Sequence, residues 1–277
     1  MLDSFLIDKY VLKALEEDIG FGDITTDSIY KQGDILHAKL NTRSNGVLCG
    51  TKVFERVFKL LSDDVTIKFN FNDGDKISEK DTVATIDGPA DAILKGERTA
   101  LNFIQRMSGI ATETKKYQDA IGNYKAKISD TRKTTPYFRV FEKYSVYIGG
   151  ACMHRFNLAD CAMIKDNHIK LAGSITNAVN LVRKNISHTH KIEVECDTLE
   201  QVKEALSCKA DIIMLDNMTC ETMKKAVEMV DNKAIIEASG NVNLSTVNEI
   251  ASTGVDIISS SAIVAKAPTL DLALDID

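Results

Sequence analysis

The sequence predicts an α/β protein in which a mixed α+β N-terminal part precedes an open (β/α) barrel of about six or seven strands. Three observations carry this reading. After residue 125, short apolar runs alternate with helical stretches, the pattern of parallel strands joined by crossover helices. Before residue 125, strand-like and helix-like stretches mix without that rhythm. Each of the later apolar runs also stops on polar or small residues, and in parallel α/β barrels those strand ends share the face where sites are built.

Taken in order, "MLDSFLIDKYVLKALEEDIG" reads as an amphipathic helix ending near Gly20. "HAKLNTRSNGVLCG" reads as strand and turn, and "KVFERVFKLL" as a helix. "VTIKFNFNDGDKI" alternates polar and apolar residues around an "NDGD" turn, which predicts a hairpin. "KGERTALNFIQRMSGIATETKKYQDAIG" is a long helix. Leu101, Ile104 and Ala111, with Phe103, Met107 and Ile110, give it a broad apolar face. Arg98, Asn102 and Gln105 share a different face, with Arg106 close by. The barrel strands are then "AKISD", "CAMIKD", "KIEVEC", "ADIIMLD", "KAIIEASG" and "VDIISSS". Helices are expected over 136–148, 174–186, 198–207, 220–230 and 244–253.

A chain of 277 residues suits one large domain or two modest ones, and 44% hydrophobic residues supply a sizeable core. No window approaches the ~18 consecutive apolar residues of a membrane span. The N-terminal stretch lacks the basic start and apolar run of a signal peptide. Six cysteines show neither a CxxC pair nor zinc spacing, which fits a reducing cytoplasm. A net charge of −6 argues against general nucleic-acid binding. Against that background, the segment from Asp130 to Lys170 holds seven Lys/Arg and only four Asp/Glu.

The strand ends supply the candidate chemistry. Arg132, Lys133, His154, Arg155 and Lys165 come from three segments leading to one face. Guanidinium groups bind carboxylates or phosphates bidentately and lysine adds a point charge, so the set suits a ligand with several anionic groups. The plainer alternative is that each is solvated or salt-bridged. Glu193 and Glu195 share one strand face, pointing into the lumen, while Ile192, Val194 and Cys196 take the other. Glu195 with Asp216 forms a candidate Mg²⁺ pair, or else part of a salt-bridge network with Lys133 and Lys165. "EASGNVN", with Ser239 and Gly240, offers backbone N–H groups to a phosphate, and Ser259–Ser261 add hydroxyls. "SHTH" at 187–190 reads as an exposed loop. No histidine is placed to activate the serines as nucleophiles.

Nine stretches, in order, carry a resemblance that spans about residue 10 to the C-terminus: "LEEDIGFGDITT", "GERTALNFIQRMSGIAT", "DTRKTTP", "GGACMHRFNLAD", "MIKDNHI", "IEVEC", "IIMLDNM", "EASGNV" and "GVDIISSSA". Together they resemble the quinolinate phosphoribosyltransferase family, whose members are carboxylating nicotinate-nucleotide pyrophosphorylases. The resemblance implies an N-terminal α/β sandwich domain over 1–110, completed by about 269–277, and an open barrel over 111–268 of the type II phosphoribosyltransferase kind. It implies a cytoplasmic glycosyltransferase of NAD biosynthesis that uses quinolinate, phosphoribosyl pyrophosphate and Mg²⁺. It also implies a homodimer with a shared active site, or a higher oligomer, and no nucleic-acid or membrane partner. By motif, Arg98 from a partner copy, Arg132, His154, Arg155 and Lys165 grip the quinolinate carboxylates. Lys133 lies between these and the pyrophosphate. Glu195 and Asp216 hold Mg²⁺ and the ribose hydroxyls. Ser239, Gly240, Ser259 and Ser261 receive the 5′-phosphate.

The sequence departs from that family's usual pattern at several turns. Tyr137, Asn241 and Ser261 stand where glycine is usual, Ala151-Cys152-Met153 replace part of "GGG-x-N", and Val264 replaces a threonine. Asn241 suits a left-handed backbone. Ser261 adds a side chain where a phosphate is expected to approach. Three other readings fit these departures: a molybdenum-transport-associated (ModD-like) relative, a catalytically weak polyanion-binding protein, or a Schiff-base lyase using Lys165.

Overall fold

The computed structural model describes residues 2–276. The chain divides into two compact units. The first takes residues up to Glu113, Val140–Gly149 and the segment from Ala267 onward; the second takes Thr114–Arg139 and Gly150–Lys266.

In chain order the elements begin with α1 (Ser4–Ile19), α2 (Thr26–Ile29), β1 (Ile35–Thr42), β2 (Gly46–Val47), α3 (Thr51–Lys59), β3 (Thr66–Phe69), β4 (Lys76–Ile77), β5 (Thr82–Pro89) and α4 (Ala90–Ile121). They continue with β6 (Lys127–Ser129), α5 (Arg139–Ile148), β7 (Ala162–Ile164), α6 (Asp166–Ala172), α7 (Ile175–Asn185), β8 (Ile192–Cys196) and α8 (Leu199–Ser207). Last come β9 (Ile212–Asp216), α9 (Cys220–Val230), β10 (Ile235–Ser239), α10 (Val247–Ala251), β11 (Ile257–Ser259), α11 (Ala262–Ala265) and β12 (Leu272–Ile276).

The first unit is an antiparallel sheet, order β12-β1-β5-β3, covered by helices. Helix α1 buries Ile7, Val11 and Leu15, four residues apart, and ends at Gly20 as its sequence predicts. Arg56 of α3 holds Asp8 of α1 through both oxygens, at 2.8 and 2.9 Å. Phe54 and Phe58 are fully buried, and truncating either to alanine should cost about 3–5 kcal/mol. The polar face of α4 seats the C-terminal segment. Gln105 donates to the Leu272 carbonyl at 2.7 Å, its own carbonyl accepts from Leu270 N–H at 3.0 Å, and Arg106 donates to the Ala267 carbonyl at 2.8 Å. Gly109 allows this approach, since a Cβ there would lie 2.0 Å from the Pro268 oxygen. β12 then pairs with β1, completing the sheet.

One expectation fails here. The stretch 65–77 is not a hairpin: β3 pairs with β5 and β4 pairs with β2. The "NDGD" turn is consumed instead by helix capping. Asp73 Oδ1 accepts the Gly50 and Thr51 N–H groups at the start of α3, each at 3.0 Å.

The second unit is a parallel sheet, order β6-β11-β10-β9-β8-β7. The chain at Cys152 adds a single parallel bridge to Ser129 of β6, a seventh strand reduced to one residue. Among the described residues nothing pairs Cys152 with β7, so the barrel is open at that seam. The crossover helices α7, α8 and α9 start where Ser174, Thr198 and Thr219 cap them with side-chain oxygens. Two helix starts differ from expectation. α5 begins at Arg139, because Tyr137 is left-handed (φ 61°). α10 begins at Val247, because Asn243 takes the Ser245 and Thr246 N–H groups into a turn.

Candidate active site

The C-terminal ends of the barrel strands surround a cavity of about 680 Å³. It is lined by every predicted site residue except Arg98: Arg132, Lys133, His154, Arg155, Lys165, Glu195, Asp216, Ser239, Gly240, Ser259 and Ser261. Arg98 is exposed on α4, in the first unit.

One side of the cavity is cationic. Arg132 follows β6, and its Nε is buried without a hydrogen-bond partner among the described residues. Burial, with the like charges of Arg155 and Arg139, weakens its hold on its proton. A buried, unmatched guanidinium N–H among other cations suits an anion. Arg155 is aimed by its own contacts, donating to the Cys161 carbonyl at 2.8 Å. Arg139 ties the two cation-bearing segments together. Its Nε donates to Thr134 Oγ1 at 2.9 Å and its Nη1 to the Phe156 carbonyl at 3.1 Å. Five Lys/Arg line the cavity against three carboxylates, Lys266 being the fifth.

Beneath the cations lies an acidic floor. His154 Nε2 sits 3.3 Å from Glu193 and 3.5 Å from Glu237, both buried. Burial raises the Glu193 carboxyl above the usual carboxylate range, with His154 opposing. For His154, burial lowers the ring's proton affinity, but Glu193 and Glu237 outweigh it and push it up to about 10. The Arg155 N–H, 2.7 Å from Nδ1, opposes a second ring proton. Either way Nε2 keeps its proton and turns it to the floor. His154, Glu193 and Glu237 do place three ligand atoms within 4.8 Å of one another. A metal on Nε2 would need the proton on Nδ1 instead, where that N–H points.

Glu195 and Asp216, the predicted metal pair, lie on adjacent strands. Glu195 is ion-paired with Lys165, which realises part of the alternative network. Asp216 makes no ion pair among the described residues; its Oδ2 accepts from Asn217 Nδ2 at 2.8 Å. Two carboxylates with water and substrate oxygens are the donor set Mg²⁺ takes, so these residues fit the ion.

The turns after β10 and β11, the latter paired directly with β6, carry no charge from Ser239 to Asn241 or from Ser259 to Ser261, and Lys266 follows only after α11. Gly240 (φ 92°) and Asn241 (φ 52°) are consecutive left-handed residues, so Asn241 fills a glycine-like position at little cost. Ser259 Oγ is buried without a hydrogen-bond partner among the described residues. Ser260 is tied into the turn, its N–H donating to the Ser129 carbonyl at 3.0 Å and its Oγ accepting from Ala262 N–H at 3.2 Å. Ser261 has φ −74°, an ordinary backbone that tolerates a side chain.

The comparisons with known proteins now decide the family. The model of the quinolinate phosphoribosyl transferase C-terminal domain matches residues 110–275, and that of the N-terminal domain matches residues 23–108. This chain belongs to the quinolinate phosphoribosyltransferase family. A probable carboxylating nicotinate-nucleotide pyrophosphorylase of Synechocystis is 45% identical over 98% of this chain and 92% of that protein. A protein of the same name from Bacillus subtilis is 40% identical over 94% of this chain and 90% of its own length. Among solved structures, NadC from Streptococcus pyogenes matches with TM-score 0.97 and 38% identity, over 100% of this chain and 98% of that one. The nicotinate-nucleotide pyrophosphorylase of Ehrlichia chaffeensis matches with TM-score 0.94 and 43% identity, each chain being fully covered. The family enzyme fold is therefore an α/β fold of two units, and no helix among the described residues is long and apolar enough to cross a membrane.

Part of the cavity lining of this phosphoribosyltransferase has no distinctive sequence signal. Glu237 and Asn217 stand at strand ends, where their residue types alone point to no single role. Lys266 follows a helix too short to read, and Met163 and Met214 look like ordinary core residues.

Proposed function

We propose that this chain transfers the phosphoribosyl group of phosphoribosyl pyrophosphate to quinolinate, with loss of CO₂, giving nicotinate mononucleotide and pyrophosphate for NAD synthesis. The observation that carries the reading is one cavity with two unlike sides. A dicarboxylate matches the cationic side, and a phosphorylated sugar matches the turns of Ser239–Asn241 and Ser259–Ser261.

The chemistry follows from this placement. Arg132, Arg155 and Lys165 bind the carboxylates and hold the pyridine nitrogen facing C1 of the ribose. That nitrogen attacks C1, and the C1–oxygen bond breaks with its electrons leaving on pyrophosphate. Lys133 stabilises the charge on the departing oxygen. Mg²⁺, held by Glu195, Asp216 and pyrophosphate oxygens, would neutralise the same charge. The ring nitrogen is then cationic. The bond to the adjacent carboxylate breaks to release CO₂, its electron pair stays on the ring carbon beside that nitrogen, and a proton from water completes the product. Lys165 is ion-paired with Glu195, a contact that engages its amine and speaks against a Schiff-base role.

The same reading makes the enzyme a cytoplasmic homodimer in which Arg98 completes the partner's site. Arg98 is exposed, and Phe21, Ile24 and Ile29 of the first unit are exposed apolar side chains that a second copy would cover. The test is product formation from quinolinate, phosphoribosyl pyrophosphate and Mg²⁺, with nicotinate as control substrate. Nicotinate mononucleotide and CO₂ from quinolinate alone, abolished by EDTA, is the expected result. Equal use of nicotinate, or binding of quinolinate without turnover, overturns the proposal.

A further inference from the structure

Asn217 does three things at one point of the cavity rim. Its backbone is left-handed, φ 52°, and its N–H donates to the Ser239 carbonyl at 2.9 Å, extending the β9–β10 ladder by one bond. Its side-chain Nδ2 donates to Asp216 Oδ2 at 2.8 Å. Its Oδ1 lies against Gly240, where a Cβ would come within 2.2 Å of it and within 2.5 Å of Asn217 Cγ. The amide orientation is set by these neighbours. Reversed, the amide would put an oxygen against the Asp216 carboxylate and lose the only side-chain donor that group receives among the described residues.

We infer that Asn217 is a positioning residue that couples Asp216 to the Gly240–Asn241 turn. This rests on the function proposed above. The amide occupies Oδ2 of Asp216 and leaves Oδ1 without a hydrogen-bond partner among the described residues, so the carboxylate presents one defined oxygen to its ligand. The body of the same side chain packs against Gly240 and fixes how far that turn lies from the carboxylate. Phosphoribosyl pyrophosphate must reach Asp216 with its ribose and metal-bound end and the 239–241 turn with its 5′-phosphate. The spacing between these two groups is a spacing within one substrate. Quinolinate, held by cations after β6 and β7, does not depend on it. Asn217 therefore acts on one substrate and not on the other.

Asn217→Gly isolates the amide, because glycine keeps the left-handed backbone without strain. Asn217→Ala is the control for strain, since alanine is unfavourable at that φ. Binding of phosphoribosyl pyrophosphate with Mg²⁺, and separately of quinolinate, is measured by calorimetry on the wild type and both variants, alongside steady-state kinetics and melting. Asn217→Gly should weaken phosphoribosyl pyrophosphate binding about tenfold and raise its KM to match. Quinolinate Kd should stay within twofold and the melting temperature should hold. Asn217→Ala should show the same affinity loss with a lower melting temperature. If the wild type does not bind phosphoribosyl pyrophosphate, the proposed function fails and takes this inference with it. If the wild type binds and Asn217→Gly binds equally well, or loses both substrates alike, the function stands and the positioning role is overturned.

Discussion

The two sides of the cavity reach the same end, binding an anion, by different physical means. The segments after β6, after the Cys152 bridge and after β7 use full charges on long side chains, held in place by carbonyl and hydroxyl contacts such as Arg155 to Cys161 and Arg139 to Thr134. The side after β10 and β11 uses hydroxyls and tight backbone turns with no charge among Ser239, Gly240, Asn241 and Ser259–Ser261. The difference teaches where mutation should hurt. Charged side chains that crowd one another, as Arg132, Arg139 and Arg155 do, give much of their value to the ligand. Turn residues give theirs through geometry, so a change that preserves the backbone should be tolerated.

The largest effect should come from the cationic side. Arg132→Ala removes a partly buried charge from a carboxylate and should lower kcat/KM for quinolinate on the order of 100-fold, since truncating one member of a buried charge pair costs roughly 2–5 kcal/mol. Steady-state kinetics with quinolinate varied checks it; a loss under fivefold would break the comparison. Next, Ser259→Ala removes a buried hydroxyl that has no hydrogen-bond partner among the described residues. It should raise the KM for phosphoribosyl pyrophosphate about tenfold, the value of one hydrogen bond to a charged group at roughly 1.5–3 kcal/mol, while melting temperature changes little. A loss of stability without a KM effect would mean the hydroxyl serves the fold instead.

Smaller effects sharpen the point about backbone. Tyr137 is an exposed aromatic residue at φ 61°, where a non-glycine residue pays about 1–2 kcal/mol. Tyr137→Gly should stabilise the protein by up to about 1 kcal/mol, part of the relief being offset by glycine's freedom in the unfolded chain. Thermal melting reads this, and a lower melting temperature would show that the Tyr137 ring has a packing role. Asn241→Gly should be the mildest, within about 0.5 kcal/mol in stability, because asparagine already tolerates φ 52°. Activity assays should find its KM values unchanged.

These residues also show what the sequence made legible. The cations, the paired glutamates and the serine turn could be gathered from strand ends alone, because a parallel barrel brings the C-terminal ends of its strands to one face. Period-2 alternation in "KIEVEC" placed Glu193 and Glu195 in the lumen, and Ile192, Val194 and Cys196 are indeed buried behind them. What failed was partner choice. Nothing local in 65–77 says that β3 will pair with β5 or that Asp73 will cap α3 rather than close a hairpin. The acidic floor was half visible, since Glu193 and Glu237 lie 44 positions apart and only strand order makes them neighbours of His154. The role of Asn217 was invisible, because it depends on a positive φ and on Gly240 from the next strand.

The central claim is that each side of the cavity reads one substrate. The most direct measurement is the pair of KM values, for quinolinate and for phosphoribosyl pyrophosphate, in Arg132→Ala and Ser259→Ala enzymes assayed side by side. A crossed result is expected: Arg132→Ala raises the quinolinate KM with little change for phosphoribosyl pyrophosphate, and Ser259→Ala does the reverse. Both KM values rising together in each variant would contradict it.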